Sequence, residues 1–113
     1  MNDKEREVYR ILDNVVASTA IQIDEDGTMS ITKEDVLGKN RTEAVTMTRC
    51  IFAAQMIHAG YSVGTIGKIL HRSAPAIRHL LALDIQYIKT SRAYRIAMSQ
   101  ATLLNRDCEP TSY

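Results

Sequence analysis

The sequence predicts an all-α fold, a small helical domain built around a helix-turn-helix. Three observations predict it. Apolar residues recur at three- and four-residue spacing along most of the chain. The periodic runs are punctuated by capping residues (Thr32, Thr42, Ser62, Ser73) and by glycine stops (Gly38, Gly60). With 113 residues, 45% hydrophobic content and only two prolines and five glycines, the chain holds one core and carries no linker or low-complexity stretch.

The first helix is expected over Asp3 to Ala17, where Val8, Ile11, Leu12, Val15 and Val16 fall at i, i+3, i+4, i+7 and i+8 and make one apolar face. Between Thr19 and Lys33 the period loosens around Asp24-Glu-Asp-Gly27, which predicts a turn or a short hairpin near 20–31. This turn is not a calcium loop. With Gly27 at the sixth position, Gln22 would stand first and Lys33 would replace the bidentate glutamate. Thr32 to Gly38 predicts one capped helical turn. Thr42 opens a helix to His58, with Val45, Phe52 and Met56 inward and Ala59-Gly60 as its stop.

Ser62 caps Val63 to Leu70, and Ser73 caps the helix that follows. In that helix Ile77, Leu81, Asp84/Ile85 and Ile88 are assigned to the core. Pro75, Arg78, His79, Ala82 and Gln86 fall on other faces. A break at Thr90-Ser91 and a continuation toward Leu104 are expected, with a frayed tail from Asn105. The chain thus divides into an acidic helix and turn (1–30), a basic helix-turn-helix segment (31–95) and a helical extension with tail (96–113).

Charge is distributed unevenly along these segments. Residues 1–38 carry four Lys/Arg against nine Asp/Glu, a balance of −5, whereas residues 39–95 carry nine against two, a balance of +7. A basic module of this kind points to a polyanionic partner, either nucleic acid or an acidic protein surface. No apolar run reaches the length of a membrane span, and the start Met-Asn-Asp-Lys-Glu-Arg-Glu lacks a basic-then-apolar leader, so a cytoplasmic protein is expected. Cys50 and Cys108 are expected to be reduced. Neither they nor His58 and His71 have ligand spacing, so no metal and no cofactor is assigned. No nucleophile, base or paired-carboxylate set stands out, and an enzyme is not expected.

Two short helices joined at His71-Arg-Ser73 have the spacing of a helix-turn-helix, whose second helix enters the DNA major groove. Gly67 suits close approach of the two helices. Pro75 lies in the first turn of the second, where its missing N–H costs no hydrogen bond. Lys39-Asn-Arg-Thr-Glu-Ala-Val-Thr-Met-Thr-Arg49-Cys-Ile-Phe-Ala-Ala-Gln-Met56, followed by Tyr61-Ser-Val-Gly-Thr-Ile-Gly-Lys-Ile-Leu70, resembles the C-terminal DNA-binding domain of the bacterial replication initiator DnaA. The resemblance runs from about Ile31 to Ile88 and is most specific at Arg41, Arg49 and Ile66-Gly67.

What the resemblance implies is double-stranded DNA binding, with Arg41 in the minor groove, Arg49 and Lys39 on the backbone and Arg72 before the recognition helix. The expected DNA-facing set is Lys39, Arg41, Arg49, Lys68, Arg72, Ser73, Ala74, Pro75, Arg78 and His79. The sequence departs from the family at the helix tip, where Ser73-Ala-Pro-Ala76 replaces Asp-His-Thr/Ser-Thr. Alanine and proline offer base edges only apolar contact, so altered specificity is expected. The family's ATPase module has no counterpart, since the chain contains no Gly-x-x-x-x-Gly-Lys-Ser/Thr loop. The alternative is an adaptor that uses the same scaffold for protein contacts, with the acidic segment over the basic face. The Val8/Ile11/Leu12/Val15 stripe is a candidate for self-association.

Overall fold

The computed structural model describes residues 2–22 and 31–107, and these form six helices: α1 (Asp3–Gln22), α2 (Lys33–Leu37), α3 (Glu43–His58), α4 (Val63–Leu70), α5 (Ala74–Thr90) and α6 (Arg92–Asp107). There is no strand among the described residues. α1 runs five residues beyond the Ala17 boundary expected from periodicity. The hairpin or turn expected near 20–31 is therefore corrected at its first three residues, which are helical, while 23–30 lie outside the described residues. Buried Thr19 shows why α1 persists: its hydroxyl bonds back to the Val15 and Val16 carbonyls, so a polar residue closes on its own helix.

α3 is the central element. From Met47 to Met56 every residue is buried, which is the burial expected of a helix apolar on nearly all sides. α1 packs Val8, Ile11, Leu12 and Val15 into the same core, α4 adds Ile66 and Leu70, α5 adds Ile77 and Leu80, and α6 adds Tyr94, Ala97 and Ala101. The three sequence segments thus share one hydrophobic core. The α1 stripe is spent inside it, so self-association through Val8, Ile11, Leu12 and Val15 is ruled out by their burial.

The core register of α5 differs from the sequence reading. Ile77 is buried and Leu81 and Asp84 are half-buried, as expected, but Leu80 and Tyr87 join the inward side, and Ile85 and Ile88 are exposed. The reason is the break that follows. Ser91 leaves helical geometry (φ −126°, ψ 114°), and its hydroxyl accepts from the Tyr94 N–H, so α6 turns back across α5. There Tyr94 stacks on Tyr87 with ring centroids 5.1 Å apart and donates its hydroxyl to Asp84. Burial raises the Asp84 carboxyl above its usual range, partly offset by the Tyr94 hydrogen bond.

α6 also closes the opposite side of α3 with amides. Gln55 Nε2 donates to Thr102 Oγ1 (2.9 Å), Asn105 Nδ2 donates to Gln55 Oε1 (2.9 Å) and Asn14 Nδ2 donates to Asn105 Oδ1 (2.9 Å). The tail expected to fray from Asn105 is therefore helical through Asp107, because Asn105 bridges α1 and α3. Residues 108–113 lie outside the described residues.

Candidate nucleic-acid interface

The corner between α4 and α5 is built by local rules legible in the chain. Ser62 Oγ accepts from the Thr65 N–H at 3.2 Å and Ser73 Oγ from the Ala76 N–H at 3.3 Å, so both helices start on a side-chain cap. Pro75 occupies the first turn of α5, where no intrahelical N–H is lost. α4 ends on His71, whose left-handed conformation (φ 57°, ψ 45°) reverses the chain in one residue. The approach is close enough that a Cβ on Gly67 would lie 2.6 Å from the Arg72 carbonyl oxygen, so only glycine fits there.

Two arginines tie this corner to the turn between α2 and α3. Arg49 is 3% exposed. Its Nε donates to Val36 O (2.9 Å) and its Nη2 to Asp35 O (2.8 Å) and Gly38 O (3.0 Å), which satisfies carbonyls at the C-terminal end of α2. Arg72 donates from Nη2 to the same Gly38 carbonyl (3.1 Å) and from Nη1 to Leu70 O (2.8 Å). Burial and the neighbouring Arg72 charge lower the Arg49 pKa to about 10, which leaves it a cation at neutral pH. Burial, then the Arg41 charge, lowers that of Arg72.

The backbone-phosphate contact expected of Arg49 is corrected by this geometry: a guanidinium enclosed by carbonyls of α2 holds the fold and does not face solvent. Arg41 and Lys39 are exposed and Arg72 is half-buried. With His71, Leu37, Gly38 and Leu70 they line a cleft of about 520 Å³ between the α2–α3 turn and the α4–α5 corner. No carboxylate among the described residues lines this cleft. Among the described residues, the ion pairs are Arg10–Glu7 and Lys33–Asp13, so none of the nine cations between 39 and 95 is paired.

The remaining expected residues separate into groups. Lys68 is exposed but lines a neighbouring groove with Lys4, Glu5 and Tyr9 of α1, across His71 from the cleft. Ser73 and Pro75 are exposed and Ala74 is half-buried at the α5 start, with Arg78 and His79 exposed one turn on. His71, which periodicity left unassigned, is brought into the cleft by its left-handed backbone. The short His71-Arg-Ser73 corner between two helical runs was the signal for it.

Compared with family models, curated proteins and solved structures, the chain gives no match. Fold and surface together define a small all-α domain with an unpaired cationic cleft beside a short helix-to-helix corner. No helix among the described residues is long and apolar enough to cross a membrane.

Proposed function

We propose that this chain binds double-stranded DNA, with Lys39 and Arg72 on the phosphate backbone, Arg41 reaching from the same cleft toward the minor groove and α5 in the major groove. The observation that carries the reading is the cleft: exposed Lys39 and Arg41 beside half-buried Arg72, with no carboxylate partner among the described residues, next to a capped helix-turn-helix corner. Cations left unpaired by their own fold are available to neutralise phosphates. The exposed start of α5 adds a positive dipole end. The resemblance to the replication initiator's DNA-binding domain supports the same partner and suggests regulation of replication or transcription.

The adaptor reading, with the acidic N-terminal segment over the basic face, draws less support. The described residues of α1 line the Lys68 groove and contribute nothing to the Arg41–Arg72 cleft. Fluorescence anisotropy against a random duplex tests the proposal. With about five phosphate contacts, log affinity should fall against log salt with a slope of roughly −4 to −5. Lys39→Ala with Arg41→Ala should reduce that slope by about two. Absence of binding at low salt, or an unchanged slope in the double variant, sinks the reading.

A further inference from the structure

We infer that α5 reads base edges through its outer stripe, with Arg78, Ala82 and Gln86 as the specificity-determining residues, and not through its Ser73–Ala74 tip. The inference rests on the DNA-binding reading above and adds to it which side chains choose the sequence.

The tip is occupied by structural work. The Ser73 hydroxyl accepts the Ala76 N–H as the helix cap, and Ala74 is half-buried and without a polar group. Pro75, Arg78, His79, Ala82 and Gln86 are all exposed, at successive steps of three, four, seven and eleven residues from Pro75. At 3.6 residues per turn these positions form one stripe, opposite the Ile77, Leu80 and Asp84 side that faces the core. Asp84 is the sole carboxylate of α5, and it is turned inward to accept from Tyr94. The outer face therefore presents donors, one amide and small apolar groups to a polyanion, with nothing to repel it.

The order of chemistry along the stripe fits one groove crossing. Half-buried Arg72, held by the Leu70 and Gly38 carbonyls, stands at the N-terminal end and exposed Lys89 at the C-terminal end, so a positive charge flanks each side of the readers, as phosphates flank base edges across the groove. Arg78 and Gln86 lie about 12 Å apart along the helix, or three to four base-pair steps. An arginine pairs bidentately with guanine O6 and N7, a glutamine with adenine N6 and N7, and an alanine methyl packs on a thymine methyl. The recognised duplex class is thus a short site with a guanine and an adenine three to four steps apart and a thymine between them on either strand.

A selection of bound duplexes from a random pool, run with wild type, Arg78→Ala and Gln86→Ala, tests this, with anisotropy on the enriched and scrambled duplexes. Wild type should enrich a site of that composition. Gln86→Ala should lose preference at the adenine and Arg78→Ala at the guanine, each by about five-fold to a hundred-fold. Affinity of Gln86→Ala for scrambled duplex should stay at the wild-type value. Both side chains are exposed, so circular dichroism should show wild-type folding in each variant. Equal wild-type affinity for every duplex, or variants that keep the wild-type preference, overturns the inference while leaving DNA binding intact. Failure of wild type to bind any duplex at low salt overturns the DNA-binding reading itself, and the inference with it.

Discussion

The basic corner around α4 and α5 and the α1–α6 side of the molecule use polar groups in opposite ways. On the α1–α6 side, polar groups pair within the fold, the buried Arg10 Nε excepted: Tyr61 donates to Glu7 at 2.7 Å, Lys33 pairs with Asp13 at 3.2 Å, and the Gln55, Asn105 and Asn14 amides close on one another. At the corner, Arg49 is fully enclosed while Lys39 and Arg41, in the turn leading into the same helix, are left exposed and unpaired. The difference teaches that charge in this chain does two jobs. A guanidinium that meets helix-end carbonyls holds elements together, and one that meets nothing in its own fold is available for a partner.

The contrast between Arg49 and Arg41 gives the largest expected effect. Arg49→Ala removes the donor from three carbonyls and leaves a void, and should cost about 2–4 kcal/mol in urea denaturation. Arg41→Ala should change stability by less than about 0.5 kcal/mol while weakening DNA binding. Equal stability losses in the two variants would erase the distinction between holding and binding cations.

Next in size is Gly67→Ala, whose new methyl would collide with backbone at 2.6 Å. Differential scanning calorimetry should show a loss of about 1–3 kcal/mol, and a neutral result would mean that the corner is looser than described.

The packed interior away from the cleft can be probed through pH. Burial raises Cys50 from 9.0 to about 12; burial and the Glu7 hydrogen bond raise Tyr61 from 10.0 to about 12; burial raises Tyr87, and Tyr94 further with Asp84 beside it. Acids with raised folded pKa values contribute stability that is present below their unfolded pKa and lost as pH climbs toward the folded one. Arg49, lowered to about 10, and Arg72, lowered by its burial, act in the other direction but are two groups against four. The melting temperature should therefore fall progressively above pH 9.0, and Tyr61→Phe should flatten part of that fall. A profile level to pH 11 or so would show these groups to be solvated.

The smallest effect runs the other way. His71→Gly relieves a left-handed non-glycine residue and should raise stability by about 1 kcal/mol, read as a higher denaturant midpoint. The same variant leaves Lys39, Arg41 and Arg72 in place, so its salt slope on DNA should match wild type within error.

Helix existence was legible throughout. The Ser62 and Ser73 caps, the Gly60 stop, the Thr90-Ser91 break and the glycine demanded at 67 are local features, set by backbone hydrogen bonding and sterics within a few residues. The errors lay where a distant element intervened. Ile85 and Ile88 satisfy helical spacing as well as Leu80 and Tyr87 do, and only the return of α6 selects the second register. Asn105 reads as tail because nothing nearby in sequence shows the Gln55 and Asn14 amides waiting for it.

The cationic surface divides in the same manner. By itself the sequence determined that residues 39–95 carry a large positive excess and that a capped corner stands in their midst, because composition and caps are properties of short windows. Only the tertiary structure decided which cations are surface and which are scaffold. Arg41 and Arg49 are eight positions apart and chemically identical, and the α2 carbonyls that enclose one and miss the other are fixed by how α2 packs on α3. Burial depends on what arrives from elsewhere in the chain, and that is settled when the core closes.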